Sequence, residues 1–304
     1  MRIKLFKMFE GRTFELSEKD FADMLNKNCK DFLNNPTLLQ RNKHDDSPQY
    51  SCISPKSYVR TSLMSGASAG VKSNHGTLLM DNLPSWSDFP KRSQSLVGTT
   101  DANSYNTFGS HKYFVIPFDG ARFGVCPAGD LWAVQSVLFH NQNYQFSFDD
   151  RLSDMFTDLK ISDKSYDEMM NDLQKIYYDW LSNSSPRKEK SYINARVETL
   201  FNELKRGGFK DVKEGLSSVF SPDKYVSISY VNTALGDTAP KGFQCLDYNG
   251  LIDYKSKGPN YKKKEFWTDS DCLLYKINAT KLNVSTEFIV NKFNDLIKMY
   301  KEEE

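Results

Sequence analysis

The sequence predicts an α+β fold in a single domain over residues 1–304. Hydrophobic residues make up 39% and aromatic residues 13% of the chain, which is typical of a folded protein with a sizeable core. Helical periodicity at both ends and in the middle is separated by two regions of short strand-like runs. No internal repeat and no βαβ alternation is present, so a mixed fold is favoured over a parallel sheet.

The first predicted element is a helix over residues 17–34. Ser17 is its N-cap, with Asp20 three residues later, and apolar residues recur on one face. The polar stretch 40–54 is predicted to be a loop. In residues 58–132, Gly, Ser, Thr and Asn are dense and strand-like runs are short. The runs 112–117 and 122–126 are predicted to pair as a hairpin, because Asp119-Gly120 provides turn chemistry.

The middle of the chain is predicted to be a helical insertion over residues 162–220. Ser165 and Glu168 have the spacing of a capping box, and a second helix is predicted over residues 192–205, ended by Gly207-Gly208. Strand-like runs return at 225–231 and 271–277. A final amphipathic helix is predicted over residues 285–300.

Several functional classes are not favoured by composition and motifs. The net charge is +1, so there is no global field that attracts nucleic acid. The five cysteines contain no CxxC pair, and the four histidines are not at metal-ligand spacing, so no metal is expected. No apolar window approaches a transmembrane length and no signal peptide is recognised. We therefore expect a cytoplasmic protein with no membrane partner.

A lysine-rich run near the C-terminal end provides one alternative. Five lysines lie between residues 255 and 264, with Tyr254 and Tyr261 beside them. A local basic patch with aromatic rings is one way to bind nucleic acid. The more common interpretation of such a run is a solvated loop.

Three short islands in the sequence carry the main functional hypothesis. Arg60 ends the β-like run 58–60, the stretch after Trp86 leads to Ser93-Gln94-Ser95 and a strand-like run, and Glu265 precedes the apolar run that starts at Cys272. In this order, the islands resemble the arginine–serine–glutamate class of mono-ADP-ribosyltransferases. The segment from Trp86 onward also resembles proteins of bacteriophages.

The resemblance implies an ADP-ribosyltransferase-like split β-sheet core with an N-terminal helix and a helical insertion. It also implies a glycosyltransferase reaction with NAD as substrate, in which ADP-ribose passes to a host protein or nucleic acid. A phage-encoded, toxin-like effector of this kind would act in the host cytoplasm. Lys263 stands where the family often has a second Glu or Gln, so the acceptor is not implied.

The resemblance gives each residue a role that its chemistry can perform. A guanidinium binds two phosphate oxygens in a fork, which assigns Arg60 to the NAD pyrophosphate. Ser93 and Ser95 would hold the nicotinamide ribose and brace the glutamate. Glu265 would stabilise an oxocarbenium-like transition state.

Two aromatic residues complete the predicted site. Trp86 or Phe108 would stack on nicotinamide.

The alternatives to an enzyme are a non-catalytic viral protein with a structural or interaction role, which shares only the fold, and a nucleic-acid-binding protein.

Overall fold

The computed structural model describes residues 12–43, 48–57, 75–100, 111–127, 166–182, 195–223, 242–258, 261, 264–277 and 285–302. These residues form helices and one large antiparallel sheet, so the α+β prediction is confirmed. The strands are β1 (Arg12–Glu15), β2 (Gln40–Lys43), β3 (Tyr50–Ser54), β4 (Leu96–Thr99), β5 (His111–Pro117), β6 (Arg122–Val125), β7 (Gln244–Asp247), β8 (Glu265–Thr268) and β9 (Cys272–Ile277).

The helices lie at both ends of the chain and in its middle. They are α1 (Glu18–Asn28), α2 (Lys30–Asn34), α3 (His75–Asn82), α4 (Tyr166–Leu181), α5 (Ala195–Arg206), α6 (Val212–Val219), α7 (Tyr248–Ser256) and α8 (Thr286–Lys301). The predicted first helix is two helices, because the backbone at Cys29 leaves the helical conformation. Among the described helices, none is long and apolar enough to cross a membrane.

The nine strands have the order β1-β3-β9-β5-β2-β4-β8-β6-β7. One residue pair, Gln40 opposite Thr99, joins β2 to β4, whereas β4 pairs with β8 over four residues. The sheet therefore consists of two halves, β1-β3-β9-β5-β2 and β4-β8-β6-β7, that meet at a narrow junction.

The connection from β5 to β6 shows that the two halves are not coplanar. Pro117 and Arg122 are five Cα steps apart, so the chain between them spans at most about 17 Å. In a flat sheet, β5 and β6 would be four strand spacings apart, which amounts to about 19 Å. The turn is also closed by a bond from Ala121 N to Phe118 O, with Gly120 at φ +76°. Because this connection is too short to cross a flat sheet, the sheet must curve.

Two predictions from local sequence are wrong. The runs that form β5 and β6 are joined by a tight turn but do not pair, since β5 pairs with β2 and β9 while β6 pairs with β7 and β8. The predicted loop 40–54 contains strands β2 and β3. Polar Gln40 and Arg41 are buried between neighbouring strands, where tertiary pairing overrides a polar composition. The predicted strand 225–231 lies outside the described residues.

Two hydrophobic cores lie on opposite faces of β8. Phe266 belongs to the first core, with residues of both sheet halves and of α1, α7 and α8. Trp267 belongs to the second core, which is built largely from α3, α4, α5 and α6. Side chains alternate between the faces of a strand, so Glu265 shares the face of Trp267.

Candidate active site

Strands β4 and β8 bring two of the three sequence islands together. β4 begins directly after Ser95, and its residues Leu96 and Thr99 lie opposite Thr268 and Glu265. Glu265 is the first residue of its own strand, separate from β9. The serine pair and the glutamate, far apart in sequence, are therefore carried by hydrogen-bonded neighbours, with the serines at one end of the pair and the glutamate at the other.

Glu265 is buried and forms an ion pair with Arg92. Its side chain is 3% exposed, and its Oε1 accepts a hydrogen bond from Nη2 of Arg92 at 2.7 Å. The Arg92 side chain is 10% exposed. Bonds between a guanidinium and a carboxylate are stronger than neutral hydrogen bonds, so the Glu265 carboxylate is held in one orientation.

Arg92 is itself fixed at both ends. Its backbone N–H donates to Oδ1 of Asp81 on α3 at 2.6 Å. Its guanidinium carbon lies 5.5 Å from the ring centroid of Trp267, within the range of a cation–π contact. The indole N–H of Trp267 donates to Pro90 O at 2.9 Å. The arginine therefore links α3 to the face of β8 that carries Glu265 and Trp267.

The two candidate serines have partners within their own turn or on α3. The backbone N–H of Ser93 donates to Oδ2 of Asp81 at 3.1 Å, and the Ser93 side chain also bonds to this carboxylate. The Ser95 hydroxyl donates to Lys91 O at 2.7 Å. Burial raises the pKa of Asp81, while its bonds with Ser93 and Arg92 act in the opposite direction.

Of the remaining predicted site residues, one lies in a hydrophobic core and two lie outside the described residues. Trp86 is 2% exposed and packs against Phe89, Phe220 and Phe243. Its indole N–H donates to Phe220 O at 2.8 Å, so the ring is part of the second core. Arg60 and Phe108 lie outside the described residues.

Arg41 and Arg92 are site candidates that sequence reasoning missed. Arg41 lies on β2 at the junction of the sheet halves, is 7% exposed, and donates from Nη1 to Val97 O on β4 at 2.9 Å. By register, Gln40 shares the face of Thr99 and Glu265, and Arg41 points to the other face. The signal for Arg41 was an arginine within a polar stretch, which was interpreted as a loop.

The lysine-rich run is partly buried. Lys264 is 1% exposed, its ammonium donates to Pro127 O, and burial lowers its pKa to about 8. Lys255 donates to Thr37 Oγ1 at 2.6 Å, and Tyr254 is 4% exposed. The described part of this run is therefore less available to a nucleic acid than its sequence indicates.

Neither a metal-ligand cluster in the described part of the chain nor a match to a known protein assigns a function to this site. Within the described residues, no group of three or more His, Cys, Asp or Glu side chains is arranged to hold a metal ion. Neither a protein-family model, nor a curated protein, nor a solved structure matches this chain.

Proposed function

We propose that this protein is a mono-ADP-ribosyltransferase that uses NAD to modify a host macromolecule. The observation that carries the proposal is the pairing of β4, which follows Ser93 and Ser95, with β8, which begins at Glu265. The order of the three islands along the sequence does not by itself predict that β4 and β8 are neighbours in the sheet. The pairing places the serines and Glu265 at opposite ends of one strand pair, and the bond from Arg92, directly before Ser93, to the Glu265 carboxylate joins the serine-bearing turn to that carboxylate. Together these contacts support a shared site for one substrate.

The proposed chemistry is the cleavage of the bond between nicotinamide and ribose. As this bond breaks, positive charge develops on the ribose, and a carboxylate stabilises it best when it is fixed before the reaction. Glu265 has this property because its orientation is set by Arg92. Ser93 and Ser95 are proposed to hold the ribose once their present bonds exchange for bonds to the substrate.

The cation for the NAD pyrophosphate is proposed to be Arg60, the residue that the resemblance assigns, because a guanidinium suits a pyrophosphate. Arg41 does not fit this role, because it points to the face of the sheet opposite to that of Glu265. Glu265 is buried, so the proposal requires the protein to open around it when NAD binds.

The test is nicotinamide release from NAD by the full chain. We expect activity in the wild-type protein and a loss of roughly 10²- to 10³-fold in Glu265→Gln, as when one transition-state contact is removed. Glu214→Gln is the matched control, because Glu214 is exposed on α6. A wild-type protein that neither binds NAD at millimolar concentration nor releases nicotinamide would refute the proposal.

A second candidate is a non-catalytic protein in which these residues only stabilise the fold. It is favoured by the internal partners of the site: Glu265 bonds to Arg92, Ser93 to Asp81, and Ser95 to Lys91 O. Under this alternative, Glu265→Gln alters the free energy of unfolding and no NAD binding is detected by calorimetry.

A further inference from the structure

We infer that Arg92 is a positioning residue for Glu265, a role that rests on the proposed function. The arginine touches the carboxylate and acts on the reaction through it. Nη2 of Arg92 lies 2.7 Å from Oε1 of Glu265, and the two residues are 173 positions apart in the chain. The contact is therefore made by the fold and has no local origin.

The arginine is held as rigidly as the group it orients. Asp81 accepts hydrogen bonds from the backbone N–H groups of both Arg92 and Ser93, which fixes the turn that precedes β4. The indole of Trp267 lies beneath the guanidinium and is anchored to Pro90. A reacting group held by locked neighbours keeps its geometry within the narrow limits that catalysis needs.

Stability alone is a poor explanation for this ion pair. A buried ion pair gives little net stability relative to apolar residues of the same volume. The Nε of Arg92 is also buried, with no hydrogen-bond partner among the described residues, and an unsatisfied buried donor is unfavourable. Apolar side chains at both Arg92 and Glu265 would fill the second core without that penalty. The presence of a charged pair is explained if the Glu265 carboxylate has to stay ionised and oriented.

Of the two buried arginines near the β4–β8 pair, Arg92 is the one that can orient Glu265. Arg41 points to the face of β2 opposite to that of the Gln40, Thr99 and Glu265 row, whereas Arg92 lies on the face of Glu265 and Trp267. Orienting the carboxylate is a different role from contacting the phosphates. The two roles have different kinetic signatures, because loss of a phosphate contact raises KM and loss of orientation lowers kcat.

The experiment compares Arg92→Lys, Arg92→Met and Arg206→Met in nicotinamide release from NAD. Arg206 is exposed at the end of α5 and provides the matched control. For Arg92→Met we expect kcat to fall about 100-fold, as for a small misplacement of a reacting group, with KM changed by no more than about twofold. Arg92→Lys keeps the charge but not the fork, so its kcat should be intermediate. Arg206→Met should match the wild type.

Each outcome decides between positioning and its rivals. An active wild-type protein with unchanged kcat in Arg92→Met would overturn positioning and leave the proposed function intact. A rise in KM with constant kcat would also overturn it, because Arg92 would then be a substrate contact. If Arg92→Met does not fold, Arg92→Lys decides: lower kcat at constant KM supports the inference, and wild-type kcat overturns it. A wild-type protein that neither binds nor cleaves NAD overturns both proposals.

Discussion

The two faces of β8 show how one short strand serves two different environments. Phe266 points into the first core, where its ring centroid lies 5.8 Å from that of Phe123 in an edge-to-face arrangement. Trp267, the next residue, points into the second core and lies beneath Arg92. The Phe266 face meets apolar neighbours, whereas the Trp267 face carries an ion pair at one end. The polar groups of the candidate site are thus concentrated where the helices cover the smaller half of the sheet.

The largest expected effect comes from removing either aromatic side chain. Phe266 and Trp267 are both fully buried, so Phe266→Ala and Trp267→Ala should each lower the free energy of unfolding by about 3–5 kcal/mol. Urea denaturation followed by far-UV circular dichroism measures this loss. The faces differ in a second respect, because only Trp267→Ala removes the surface beneath Arg92.

That difference separates packing from site geometry. We expect Trp267→Ala to reduce the energetic coupling between Arg92 and Glu265 in a double-mutant cycle, and Phe266→Ala to preserve it. Equal coupling in both backgrounds would mean that the indole does not hold the guanidinium.

A smaller effect is expected at the glycines beneath these rings. Phe266 covers Gly98 on β4 and Trp267 covers Gly124 on β6, so that a Cβ at either glycine would overlap the ring above it. Gly98→Ala and Gly124→Ala should each cost about 1–3 kcal/mol through overpacking. Trp267→Phe, which shortens the ring over Gly124, should recover part of the loss in Gly124→Ala and none in Gly98→Ala. Recovery in both would contradict the assignment of the rings to opposite faces.

The strands of the site were predictable only where their own residues carried the signal. The helices of the middle region were expected from their periodicity, and β5 and β6 were expected from strand-like runs and turn chemistry. The pairing partners of β5 and β6 were not predicted, because pairing is decided by the whole sheet. The turn at Gly120 matches a hairpin, yet β5 and β6 belong to different halves of the sheet. Polar β2 gave no strand signal, so Arg41 was missed.

Individual site residues follow the same physical logic. Glu265 is assigned by the resemblance, and in the structure it begins β8. Its partner Arg92 was not predicted, since nothing local connects residues 173 positions apart. Trp86 was interpreted as a stacking platform, but a tryptophan can equally bury its ring and satisfy its N–H internally. Phe220 O provides that partner.

A still smaller effect on stability is expected from the serine hydroxyl nearest β4. Ser95 is 6% exposed and donates to Lys91 O at 2.7 Å, so Ser95→Ala should lower the free energy of unfolding by about 1 kcal/mol. If Ser95 also contacts the substrate, nicotinamide release per folded molecule should fall as well. Ser182→Ala, which alters an exposed hydroxyl bonded to Asp179 O, is the control. Unchanged turnover in Ser95→Ala would restrict this serine to a structural role.

The last effect concerns Lys264, the residue directly before β8, and it depends on pH. Burial lowers the pKa of Lys264 from 10.5 to about 8, so between these values the unfolded chain binds more protons than the folded protein does. Stability contributed by this residue therefore rises with pH from about 8 to about 10.5, and its burial is most unfavourable below pH 8. Lys264→Met should remove this slope, measured as the difference between wild-type and variant free energies of unfolding across that range. The difference cancels the tyrosines and cysteines that titrate in both proteins. Parallel curves would mean that the Lys264 ammonium is solvated in the folded protein.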